Sequence, residues 1–119
     1  MIIVEGINHI SLPVTNLKAS TQFYSDLFDF EVIDDSSKEY VYMTFDPIQV
    51  KLIKVDKLEQ TYKFPVVSFA MDVDDFTEAI EEIEEKGIKI EKGPESTDTG
   101  ESIVIKDPDG NLIELYYQG

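Results

Sequence analysis

The chain has 119 residues, 42% hydrophobic and 11% aromatic, with 25 Asp and Glu against 10 Lys and Arg for a formal charge of −15. That length suits one compact domain, and a field of that sign repels phosphate backbones and anionic headgroups, so neither nucleic acid nor membrane is expected as a partner. There is no cysteine, which excludes disulfides, thiolate metal sites and a cysteine nucleophile.

The opening Met1-Ile2-Ile3-Val4-Glu5 has neither a basic n-region nor a long apolar run, so an unprocessed cytoplasmic protein is expected. Residues 7–14 then alternate, with Ile10, Leu12 and Val14 on one side and His9, Ser11 and Pro13 on the other, the period of a half-buried strand. Asn16 can cap a helix whose stripe is Leu17, Phe23, Tyr24 and Leu27, ending near Phe28. Strands are predicted over 30–33, 40–45 and 48–55, parted by polar residues and by Asp46-Pro47.

After a linker over 56–64 the pattern begins again. Val67, Phe69, Met71 and Val73 alternate as a fifth strand, and Asp75 with Glu78 starts a second helix in the manner of a capping box. Phe76, Ala79, Ile80 and Ile83 form its stripe and Gly87 its stop. Strands follow over 88–91, 102–106 and 111–117, with 93–100 as a long loop and Asp107-Pro108-Asp109-Gly110 as a turn. Ser68 lies 59 residues after His9, and Asp75 lies 59 after Asn16, so βαβββ occurs twice. The expected fold is α+β: two paired βαβββ modules, about 5–55 and 65–117, forming a curved mixed sheet around a cup-shaped cavity in one domain.

In each strand one parity is apolar enough to pack beneath a helix, and the other must face solvent or a cavity. That second parity holds His9 and Ser11, Gln49, Lys51 and Ile53, Ser68, Ala70 and Asp72, and Leu112, Glu114 and Tyr116. Tyr40 and Tyr42 join it if Val41, Met43 and Phe45 point to the core. Tyr40, Tyr42, Gln49, Lys51, Ser68 and Tyr116 are thus candidate ligand contacts for a small polar molecule. No glycine-rich phosphate loop opens a helix, so no nucleotide cofactor is expected.

Paired βαβββ modules, with Asn8-His9-Ile10 at the start and Asp107-Pro108-Asp109-Gly110-Asn111-Leu112-Ile113-Glu114-Leu115 at the end, resemble the vicinal oxygen chelate superfamily of glyoxalases, bleomycin and fosfomycin resistance proteins and extradiol dioxygenases. The resemblance implies a divalent metal, Zn, Ni, Mn or Fe, held by the first and last strands of each module. Those positions fall on His9, Lys51, Ser68 and Glu114. His9 and Glu114 are the family's residue types, whereas Lys51 stands where Glu or Gln serves and Ser68 where a second His is typical.

A protonated ammonium donates no lone pair and repels a cation. A register slip of two residues would bring Gln49 in for Lys51 and restore three ligands, His9, Gln49 and Glu114. By resemblance the chain is expected to be a homodimer that binds a small polar metabolite. If it is an enzyme, a glyoxalase-like isomerase or lyase reaction is implied, with Glu114 shuttling a proton or holding the ion. The alternatives are metal-free sequestration of a cationic antibiotic, as in bleomycin resistance proteins, and an interaction module with an empty cup.

Overall fold

In the computed structural model, which describes residues 1–58 and 63–118, the elements run β1 (Ile10–Val14), α1 (Leu17–Phe28), β2 (Glu31–Asp34), β3 (Tyr40–Phe45) and β4 (Ile48–Lys54). They continue as β5 (Val67–Ala70), α2 (Phe76–Glu85), β6 (Lys92–Ser96), β7 (Glu101–Lys106) and β8 (Leu112–Tyr117). The fold is α+β, two βαβββ modules each built on a four-stranded mixed sheet. The chain divides after Leu58 into two compact units that coincide with the modules.

In module one the strand order is β1-β4-β3-β2, with β1 parallel to β4 and the other pairs antiparallel. Helix α1 starts where Asn16 is extended and its side chain accepts the Ala19 N–H at 3.0 Å, which satisfies one amide that has no partner within the helix. It stops at Asp29, whose φ of 58° is left-handed, a conformation Asp tolerates better than most residues. The strands alternate as predicted, burying Leu12 and Val14, Val41 and Met43, and Val50 and Leu52 on the face covered by α1. Each such side chain contributes about 1.5–3 kcal/mol through its burial. Tyr24, fully buried, stacks on Phe30 with ring centroids 6.3 Å apart.

Two expectations for this module are corrected. Strand β1 begins at Ile10 and not at Ile7, because Ile10 already pairs with Val50 and β4 has only Ile48 and Gln49 before it. Phe45, expected in the core, is 52% exposed because it pairs with Ile48 at the open end of the β3–β4 hairpin.

Module two has the order β5-β8-β7-β6, with β5 parallel to β8. Asp75 caps α2 by accepting the Glu78 N–H at 3.1 Å. Gly87, at φ +80°, closes the helix. Its N–H donates to Glu84 O at 3.0 Å and that of Ile88 to Ile83 O at 3.2 Å, the paired bonds of a Schellman ending. Phe76 stacks on Tyr117 at 5.5 Å, and Phe69, Ile103, Ile105, Ile113 and Leu115 fill the core. The turn before β8 is held by buried Asp107, whose Oδ1 accepts the N–H groups of Asp109 and Asn111 at 3.0 and 2.9 Å.

Here the strand expected over 88–91 is replaced by β6 at Lys92–Ser96, inside the stretch expected to be a loop. The Ile88 amide is taken by the helix ending, and strand pairing starts only where the Glu91 N–H donates to Val104 O at 2.8 Å. Strand β5 also ends early, at Ala70, just before the Met71 N–H donates to Tyr116 O. Part of the expected linker, 59–62, lies outside the described residues.

Candidate functional sites on the two open sheet faces

Because one face of each sheet is given to a helix, the alternate residues form a second, open face. In module one the ladders place Ser11 beside Lys51 and Lys51 beside Tyr42, with Tyr40 beside Ile53 and Gln49 beside Thr44. Lys51 is half-buried on β4, an inner strand. Its Nζ stands 4.6 Å from the centre of the Tyr40 ring and 5.3 Å from that of Tyr42, a cation–π arrangement that holds the charge without using its N–H donors.

The His9 ring meets Tyr42 edge-on, with centroids 5.7 Å apart. His9 Nδ1 lies 2.7 Å from Asn8 Oδ1. A carbonyl oxygen can only accept, so in this contact Nδ1 is the donor. His9, Tyr40, Tyr42 and Lys51 are therefore brought together, and Gln49 shares their face beside Thr44. In the β1–β4 register Gln49 stands one residue before Val50 as His9 stands one before its partner Ile10, so the slip that brings in Gln49 for Lys51 agrees with that ladder.

In module two the Ser68 hydroxyl donates to Glu114 Oε1 at 2.6 Å, across the parallel β5–β8 pair. A hollow of about 290 Å³ opens beside Glu114, walled by Phe64, Leu112 and Val104 and by the charged Lys63, Lys92 and Glu95. The Tyr116 hydroxyl bonds instead to the hydroxyls of Thr97 and Thr99 in the β6–β7 connection. Sequence reasoning missed Glu91, Lys92 and Glu95, which line the same hollow. Glu91 pairs with Lys106 at 3.3 Å and Lys92 with Glu95 at 3.4 Å. Their only sequence signal is alternating charge in a stretch without apolar residues.

The ladders leave two ways of matching the modules. Ser11 pairs with Lys51 as Ser68 pairs with Glu114, which makes Lys51 the counterpart of Glu114. With Ser68 matched to His9, 59 residues earlier, the counterpart of Glu114 is instead Gln49, which precedes Val50 as His9 precedes its partner Ile10. The two differ by the two additional residues that module two has between strand and helix cap. Among the described residues, neither module by itself gathers three His, Asp or Glu side chains.

Residues 6–115 match the model of the Glyoxalase/Bleomycin resistance protein/Dioxygenase superfamily. The chain is 29% identical over 117 residues to the metallothiol transferase FosB of Staphylococcus epidermidis, covering 95% of this chain and 82% of that one. It is 30% identical over 122 residues to the fosfomycin resistance protein FosX of Listeria monocytogenes, covering 95% and 90%. A crystal structure of a variant of that FosX, complexed with Mn(II) and 1S,2S-dihydroxypropylphosphonic acid, matches with a TM-score of 0.81 at 24% identity over 96% of this chain and 90% of that one. The last is a likeness of fold.

Proposed function

Since the chain belongs to the Glyoxalase/Bleomycin resistance protein/Dioxygenase superfamily, we propose that its two modules work as one domain whose open faces bind a small, polar, oxygen-rich molecule, with Glu114 as the group that moves a proton on it. The observation that carries this reading is the Ser68–Glu114 hydrogen bond of 2.6 Å beside the 290 Å³ hollow. The Ser68 hydroxyl orients the carboxylate by occupying Oε1, which leaves Oε2 to accept a proton from a bound molecule. The hollow's apolar side chains, Phe64, Leu112 and Val104, offer contact to a ligand's carbon atoms, while Lys63 and Lys92 offer charge to an anionic end.

The relatives named above favour fosfomycin or a similar small phosphonate as the first ligand to test. They do not favour the sequestration of a cationic antibiotic. A divalent ion of the kind that the FosX structure holds fits this chain poorly. At the four positions that the resemblance assigns stand an imidazole (His9), an ammonium (Lys51), a hydroxyl that donates to its neighbour (Ser68) and a carboxylate (Glu114). One imidazole, one carboxylate and a fixed positive charge fit a resident metal poorly, so no step here runs through a metal.

Pairing of two chains belongs to the same reading, supported by the exposed apolar residues Ile2, Ile3, Val4 and Ile7 ahead of β1. A cytoplasmic setting is part of the same proposal. No helix among the described residues is long and apolar enough to cross a membrane.

The test is turnover of fosfomycin followed by phosphorus NMR, with and without a small thiol. Glu114→Gln is expected to lower turnover by about 10²–10⁴-fold while affinity changes much less. Turnover in Glu114→Gln equal to that of the unmodified protein, or no binding of fosfomycin at all, would overturn the reading.

A further inference from the structure

The open face of module one has a composition at odds with the rest of the chain. Of 119 residues 25 are carboxylates, yet the neighbouring strands β1, β4 and β3, with His9, present His9, Ser11, Pro13, Gln49, Lys51, Ile53, Tyr40, Tyr42 and Thr44 there, without one Asp or Glu. On the edge strand β2, Asp34 pairs with Tyr42 and Glu31 with Thr44. The Asp34 carboxylate is already engaged by the hydroxyl and the N–H of Ser36.

Lys51 sits near the middle of this face. Its charge rests against two aromatic rings, which leaves the three N–H donors of the ammonium for an acceptor. The Ser11 hydroxyl is on the adjoining strand at the same level, and the His9 ring borders Tyr42. An oxyanion placed over Lys51 would meet one full positive charge and several neutral hydrogen-bonding groups, with no carboxylate from the three strands to repel it.

Module two offers a contrast. There Ser68 stands beside Glu114 as Ser11 stands beside Lys51. Where module two places a carboxylate next to its serine, module one places a fixed cation, a charge of the sign that a metal would have supplied.

We propose that Lys51 takes the place of a metal ion, binding the oxyanion group (phosphonate or carboxylate) of a small ligand on the open face of module one, with Ser11, His9 and the two tyrosines around it and no divalent cation. This rests on the reading that the open faces take a small molecule, and it adds the chemical class of ligand and the residue that selects it.

Calorimetric titration of the full, chelator-treated chain with methylphosphonate and, separately, acetate tests it, alongside Lys51→Met and Lys51→Arg. Binding of either anion without metal is expected, and the two arms tell a phosphonate from a carboxylate preference. Lys51→Met should weaken it by about tenfold or more, and Lys51→Arg, which keeps the charge, by only about threefold. Near-identical amide NMR spectra would show that both variants keep the fold.

The free-ion EPR signal of Mn(II) should be unchanged by equimolar protein. Anion binding indifferent to Lys51→Met, no binding of either anion, or stoichiometric uptake of Mn(II) would each overturn the inference. None of these touches the role of Glu114, and an inert Glu114→Gln would leave the role of Lys51 standing, so the two failures are distinguishable.

Discussion

Asp34 shows how a single side chain can be tuned by one neighbour. The hydroxyl of Ser36 at 2.7 Å and then its N–H at 2.9 Å donate to the same carboxylate oxygen and hold the Asp34 carboxyl below its ordinary value. Hydrogen bonds to the charged form favour that form. A carboxyl whose folded-state value is depressed contributes stability above the unfolded value, and the contribution is lost as pH falls through the folded one. Ser36→Ala removes the larger cause, so the Asp34 titration followed by NMR should move up toward the usual aspartate range, and an unmoved titration would show that the hydroxyl has no such effect.

Individual positions were legible to different degrees. Strand parity alone places His9, Lys51, Tyr40, Tyr42, Ser68 and Glu114 on open faces; the ladders agree for all but His9, which precedes β1 and meets Tyr42 edge-on. Whether Lys51 or Gln49 is the β4 residue matched to Glu114 was not legible, because a count between helix caps does not reveal where two additional residues enter. Nor could the sequence show Tyr116 turned toward Thr97 and Thr99, since that contact depends on the path of the β6–β7 connection.

At the level of elements, both helices were readable from their ends. Asn16 and Asp75 each accept an amide N–H three residues on, as their residue types suggest. Asn16→Ala should cost about 1 kcal/mol in urea unfolding. Gly87 has open space where a Cβ would go, but its φ is +80°. Gly87→Ala should therefore cost about 1 kcal/mol through backbone conformation alone, and a neutral result would mean that the helix ending relaxes freely.

Strand β6 was not readable, for a physical reason. All five of its residues are exposed, so no alternation of apolar side chains marks it. Main-chain bonding to β7 makes the strand, and composition carries no trace of that. The run 88–91 has the alternation, yet the helix ending claims the Ile88 amide.

Across the whole molecule the formal charge of −15 is a source of self-repulsion that folding concentrates. The ion pairs among the described residues, Lys89–Glu91, Lys92–Glu95 and Lys106–Glu91, are largely exposed and so worth little. Screening should therefore stabilise the protein. The melting temperature is expected to rise between low and about 0.5 M NaCl, where the screening length shrinks to a few ångströms. A fall would mean that attraction between charges outweighs repulsion. Sequence periodicity made the doubled βαβββ plan visible because each module repeats the same alternation under its own helix.

The strand order has a consequence for the chain as it leaves the ribosome. Among the described residues β1 has a ladder with β4 alone, and β5 with β8 alone. A nascent chain that has emerged only as far as β3 can close a hairpin and wind a helix, while its first strand waits without a neighbour. The strand that then slots between β1 and β3 completes the sheet and delivers Lys51 in the same event, and β8 later does so with Glu114. In each half, the residue proposed to meet the ligand arrives on the piece that finishes the architecture, so a sheet left incomplete by early termination would lack that side chain as well.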